Sequence, residues 1–172
     1  MSTVDTMEKL FVQELKDLYS AETQITKALP KMAKAAASNE LKTAFEHHLK
    51  ETEGQIQRLD KVFEILGTSP RGKTCDGMKG VLEEGDQMLN ETAEGDVRDA
   101  ALISAGQRVE HYEMAGYGTV RAYAERLGKS QIVQLQEQTL EEEKAADKKL
   151  TEISKKVNPS GRQTASAGRH NA

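Results

Sequence analysis

Apolar residues recur at intervals of three and four along four long stretches of the chain. That spacing marks one face of an α-helix, whose period is about 3.6 residues. The first stretch runs from about Val4 to Ala37, with Phe11, Leu15, Leu18, Glu22, Ile25, Leu29 and Met32 on its stripe. Pro30 falls inside it and is expected to kink the helix or end its regular part about a turn early. The second runs from about Glu40 to Leu66, through Leu41, Phe45, His48, Leu49, Thr52, Ile56, Leu59, Val62 and Phe63. Ser38 and Asn39 suit its start and Gly67 its end. Gly54 lies within it, either admitting a close helix approach or as a neutral residue.

The third stretch spans about Val97 to Leu127, with Leu102, Ala105, Val109, Glu113, Gly116, Val120, Tyr123 and Leu127 in register. Gly128 ends it and Ser130 is placed to cap the fourth, Gln131 to about Val157. The fourth stripe reads Leu135, Thr139, Glu142, Ala146, Leu150, Ile153 and Val157. Between Gly67 and Asp96 the period weakens. Ser69-Pro70-Arg71-Gly72 signals a turn, and Val81, Leu82, Met88 and Leu89 suggest a short amphipathic helix within the connection. No stretch alternates long enough for a sheet, so the chain reads as all-α. Residues 1–157 form one helical domain; residues 158–172, polar and without period, read as a disordered tail.

A shift of 91 residues lays the first hairpin on the second, pairing Leu41 with Ile132, Leu49 with Leu140, Leu59 with Leu150 and Val62 with Ile153. The same shift pairs Glu22 with Glu113 and Glu51 with Glu142. Any two helical hairpins share apolar matches, so the carboxylates carry more weight. Two hairpins joined by a long crossover make a four-helix bundle with a pseudo-twofold axis, and its four glutamates then converge near the middle. Carboxylates brought together in a core cannot all ionise unless some keep their protons or cations neutralise them.

Glutamate oxygens suit iron or manganese, two ions per site, and two bridged metals could cycle electrons with dioxygen or peroxide. Bundles of that kind place a histidine three residues after the glutamate on two helices. Here those places hold Gly54 and Ala145. His48, on the face of Glu51, is a substitute ligand candidate, and Glu110 a further oxygen. Glu143, within Glu141-Glu142-Glu143, reads as a solvated neighbour, and His47 and His111 as surface residues. Tyr19 and Tyr112 lie within a turn of Glu22 and Glu113, as hydrogen-bond donors to them or as packing aromatics.

The net charge of −4, with Arg162 and Arg169 in the tail, leaves about −6 on residues 1–157, which argues against nucleic acid as partner. No apolar run reaches a membrane span or a signal peptide. The lone Cys75 excludes an internal disulfide and suits the cytoplasm, with a redox role a further option.

Several strings resemble a known family. Leu18-Tyr19-Ser20-Ala21-Glu22, His48-Leu49-Lys50-Glu51-Thr52, Val97-Arg98-Asp99-Ala100-Ala101-Leu102-Ile103, Val109-Glu110-His111-Tyr112-Glu113 and Thr139-Leu140-Glu141-Glu142-Glu143-Lys144 are similar to the bacterial YciF-like proteins. The resemblance implies a ferritin-like four-helix bundle, distantly related to rubrerythrins, linked to bacterial stress responses and forming homodimers. It implies Glu22, Glu51, Glu113 and Glu142 as the bundle-centre carboxylates. Two readings of function follow. One is a metal-binding stress protein with ferroxidase or peroxide-consuming activity. The other is a non-enzymatic dimeric bundle that acts through a partner and keeps a relict site.

Overall fold

The computed structural model describes residues 3–159; all but the first two residues of the tail expected at 158–172 lie outside the described residues. Five helices follow in order: α1 Met7–Ala35, α2 Asn39–Leu66, α3 Asp76–Glu91, α4 Asp96–Arg126 and α5 Ser130–Val157. Among the described residues there is no strand. α1 packs on α2 and α4 on α5 as two hairpins; contacts of α1 with α4 and of α2 with α5 close the bundle. The crossover helix α3, at 16 residues longer than the short piece expected, lies against α4 and α1.

The helix ends follow local chemistry. Thr6 caps α1 by accepting from the Lys9 backbone N–H at 3.2 Å, and Ser38 caps α2 by accepting from Leu41 at 3.3 Å. Gly67 and Gly128 end α2 and α4 with φ of 63° and 68°, where a side chain would strain the backbone. Ser130 is not a cap; it is the first residue of α5. Pro30 does not end α1, which continues to Ala35. Proline removes one backbone donor, but Pro30 sits on the exposed face. The freed carbonyl can therefore be hydrated, while buried Leu29, Met32 and Ala33 hold the last turns in place.

The core divides in two. Leu41, Phe45, Leu102, Val109, Leu150 and Ile153 pack with Ile25 through Met32 near one end. Phe11, Leu15, Leu18, Leu59, Phe63, Val120 and Ile132 pack near the other. Along each long helix the apolar run is interrupted at the same level: Glu22 on α1, His48, Thr52 and Gln55 on α2, Glu110 and Glu113 on α4, and Gln136, Thr139 and Glu143 on α5, all buried. The bundle thus carries a polar waist between two oily halves, and only the halves supply hydrophobic stabilisation.

A β-carbon added at Gly54 would meet nothing within 4 Å, so no close helix approach explains this glycine. Gly54→Ala is expected to raise stability by about 0.5–1 kcal/mol, the helix-interior cost of glycine. Urea unfolding of the two proteins checks this; an unchanged or lower midpoint would show an unseen constraint at Gly54.

Candidate metal centre

The waist is built by stripe positions that the helices must bury. On α2 the buried residues step by four and three through Leu41, Phe45, His48, Thr52, Gln55, Leu59 and Val62. On α5 they step through Ile132, Gln136, Thr139, Glu143, Leu150 and Ile153. One ligand atom from each of His48, Glu110, Glu113 and Glu143 lies within 4.8 Å of the others. His48 Nε2 is 3.4 Å from Glu110 Oε1 and 3.7 Å from Glu143 Oε2. Its Nδ1 is 3.4 Å from Glu51 Oε2. Glu22 lies beside the group, and its charge helps push up the pKa of Glu113 and of Glu110.

Of the six residues singled out from sequence, four meet in the waist: Glu22, His48, Glu110 and Glu113, all buried. Glu51 and Glu142 do not reach its centre. Both stand at its rim, with side chains 25% and 23% exposed. Glu142 turns to Arg58, which pairs with one of its oxygens and donates to the other at 2.8 Å and to Thr139 Oγ1 at 2.7 Å. Glu143 is no solvated neighbour: it is fully buried and takes the place expected of Glu142. The physical reason is a register one residue along. The fourth stripe runs through Gln136, not half-buried Leu135, and a buried glutamine hides it from a search for apolar residues. The shift of 91 residues still pairs Glu51 with Glu142, but as two rim groups. Under that shift buried Glu22 still matches buried Glu113, but on α2 and α5 the buried pair is Thr52 and Glu143, so the two halves differ there.

Three further contributors went unread in the sequence. The Tyr117 hydroxyl donates to Glu22. The Gln55 amide donates to Glu143 and, at 3.2 Å, to Glu142. Arg58 fixes Glu142 as described. Tyr117 stands four residues after Glu113 and one turn along the same face, a spacing that could have revealed it. Tyr19 and Tyr112 do not bond Glu22 or Glu113 directly: Tyr19 packs edge-on against Phe63, and Tyr112 binds Asp17 at 3.1 Å and Cys75 at 3.0 Å. His47 and His111 are exposed, as expected.

The electrostatics follow from burial. Glu22 is pushed up to about 8, by burial first and then by the charge of Glu143, with the Tyr117 hydroxyl pulling the other way. Glu110 and Glu113 are held well above the ordinary carboxylate range, chiefly by burial. Burial would lower His48, but Glu110, Glu51, Glu143 and Glu22 together raise it to about 10. The waist therefore holds protons in place of some of its negative charge.

Even so, buried polar atoms of the waist are left without partners. Glu22 Oε2, Gln55 Oε1, Glu110 Oε2, both oxygens of Glu113, Glu143 Oε2 and His48 Nε2 find no hydrogen bond among the described residues. A buried acceptor without a partner costs about 1–3 kcal/mol, more if charged. So many together call for a shared donor or a cation. One imidazole nitrogen with several carboxylate oxygens is a donor set for a borderline or hard divalent ion.

Comparison with known proteins places the chain. Residues 6–161 match the family described as "Domain of unknown function (DUF892)". Protein YciF of Escherichia coli is 47% identical over 149 residues, covering 86% of this chain and 90% of that protein. The crystal structure of the E. coli stress protein YciF superposes with a TM-score of 0.87 at 45% identity, covering 90% of this chain and 98% of that one. YcfI of Rhodopseudomonas palustris gives a TM-score of 0.84 at 47% identity, covering 86% of this chain and 94% of that one. A Xanthomonas campestris protein at 21% identity shares the fold, with a TM-score of 0.71, covering 88% of this chain and 93% of that one. The chain belongs to this DUF892 family, the YciF-like proteins, and its fold is their ferritin-like helical bundle.

Proposed function

We propose that this protein is a metal-binding stress protein that holds one or two iron or manganese ions in its waist. The single observation that carries the reading is the set of buried acceptors without partners, drawn from all four long helices. His48, Glu110, Glu113 and Glu143 would form the first set of ligands, with Glu22 beside them and Glu51 at the rim. A bound ion of this kind supplies one-electron redox chemistry toward dioxygen or peroxide. The chain's own residues prepare the place for it. Tyr117 fixes one oxygen of Glu22, and Gln55 fixes one oxygen of Glu143, leaving the other oxygen of each free. Outer hydrogen bonds of this kind orient metal ligands. The two oily halves cover the waist toward both ends of the bundle. E. coli YciF, to which this chain is similar, is a stress protein, which supports the physiological setting.

The competing reading is a dimeric bundle with an empty, protonated waist. Gly54 and Ala146, three residues after Glu51 and Glu143, where paired-metal bundles carry histidines, favour it. Metal analysis of protein purified without chelator separates the two, followed by titration with Fe(II) or Mn(II) while the thermal midpoint is read. We expect at least about one ion per chain, with stabilisation of about 4 kcal/mol once free metal is about a thousandfold above the dissociation constant. Glu113→Gln should remove the uptake yet leave the metal-free protein as stable as the parent or more so, since a buried acid has gone. A parent protein that takes up neither ion would sink the metal reading.

A further inference from the structure

The waist is not sealed equally on its two flanks along the seam between α2 and α5. On one flank Arg58 binds Glu142 and Thr139, and Gln55 reaches both Glu142 and Glu143, so the seam is closed by side chains from both helices. On the other flank a groove of about 640 Å³ runs in from the surface and ends at His48, Glu51 and Glu110. On its α5 wall, beside Lys149 and Leu150, stand Ala145 and Ala146, too short to cross to α2; Lys149 crosses only to Glu40. Thus the rim glutamates paired by the repeat have opposite surroundings: Glu142 is locked, and Glu51 opens onto a path.

Along that path the donors form a graded series. The His47 side chain is 70% exposed, and its Nδ1 lies 3.2 Å from Glu51 Oε2. The same oxygen is 3.4 Å from His48 Nδ1, and the far nitrogen of His48 is 3.4 Å from Glu110 Oε1. Of the other acids of the groove, Glu110 lies at its buried end and Glu40 is already held by Lys149 at 3.0 Å and Lys156 at 2.9 Å. Glu51 therefore offers the mouth's one carboxylate without a lysine or arginine among the described residues.

We propose that this groove is the entry port of the waist for hydrated divalent cations, with His47 and Glu51 as transfer ligands that take an ion from water and hand it to His48 and Glu110. The port rests on the metal reading above and adds its route. Each step along it replaces a water ligand by a nitrogen or oxygen, so the ion is never stripped at once. Ala145 and Ala146 are specified by this role, because a larger residue there would close the seam as Arg58 does on the other flank.

The test is a loading rate, not an activity. Mn(II) is mixed with metal-free protein in a stopped flow, and free metal is followed with a fluorescent divalent-ion indicator. Ala146→Leu should slow loading about tenfold or more, and Glu51→Gln about tenfold, as expected when an entry route is obstructed. Ala146→Leu should reach the parent's final stoichiometry, since residue 146 is no ligand. If the leucine is not accommodated, Ala146→Met fills the same space with a more adaptable chain. Loading of both variants at the parent's rate overturns the port while leaving the metal site standing. No uptake by the parent protein overturns the metal reading, and the port with it.

Discussion

In the presence of chelator, the protein should lose several kcal/mol of stability as pH rises from about 5 to about 9. The ordinary value for Glu22 is 4.5 and its folded value about 8, so between those limits the folded protein keeps a proton that the unfolded chain has released. Its contribution is complete below pH 4.5 and is lost as pH climbs through about 8. At about 1.4 kcal/mol per unit this span amounts to several kcal/mol, shared with the acids packed against it. His48, raised from 6.5 to about 10, acts with the same sign: its contribution is complete below pH 6.5 and disappears through about 10. Glu110 and Glu113 are shifted in the same direction as Glu22. Metal reverses the dependence, because carboxylates and imidazole must shed protons to ligate and binding therefore strengthens with pH. Urea unfolding across this range, with chelator and with excess Mn(II), should give curves that diverge as pH rises. A metal-free curve flat from pH 5 to 9 would show that the buried acids are not protonated, and the electrostatic account of the waist would fail.

Asp99→Ala is expected to cost about 3 kcal/mol or more, far from the waist. Asp99 is 1% exposed, on the first turn of α4, and its two oxygens accept from the backbone N–H groups of Ala37 at 2.8 Å and Ser38 at 2.7 Å. These are the residues of the α1–α2 turn. The carboxylate therefore ties the first hairpin to the start of the second and satisfies two donors that the turn cannot. Alanine would take from both N–H groups, which lie in a partly exposed turn, their charged acceptor. Asp99→Asn keeps one carbonyl acceptor and should lose about half as much. Urea unfolding of the three proteins decides it. A loss under about 1 kcal/mol in the alanine variant would mean that water replaces the carboxylate freely.

The fold was largely legible because a helix announces itself locally. Three- and four-residue steps, Ser38 before α2, and Gly67 and Gly128 after α2 and α4 mark elements with no knowledge of partners. Pro30 misled because its effect depends on which face it occupies, and only packing assigns the face. The site was legible in kind but not in detail. Glu22 and Glu113 stood out as charges on apolar stripes, and both are buried at the waist. Glu142 was chosen over Glu143 because the apolar pattern of α5 is broken by Gln136 and Thr139, polar residues that the bundle nonetheless buries. In a run of three glutamates, rotation by one residue turns a different carboxylate inward, about 100° around the helix.

The sequence by itself determined an all-α chain of two long hairpins with a crossover, and an interior that must accept acids, because periodicity and composition act within a single helix. Which acids meet, which one Arg58 draws aside, and where α2 and α5 leave the waist open were decided by tertiary structure alone. Those outcomes depend on helix rotation and on partners about 80 to 90 residues away, and no local rule of spacing carries that information.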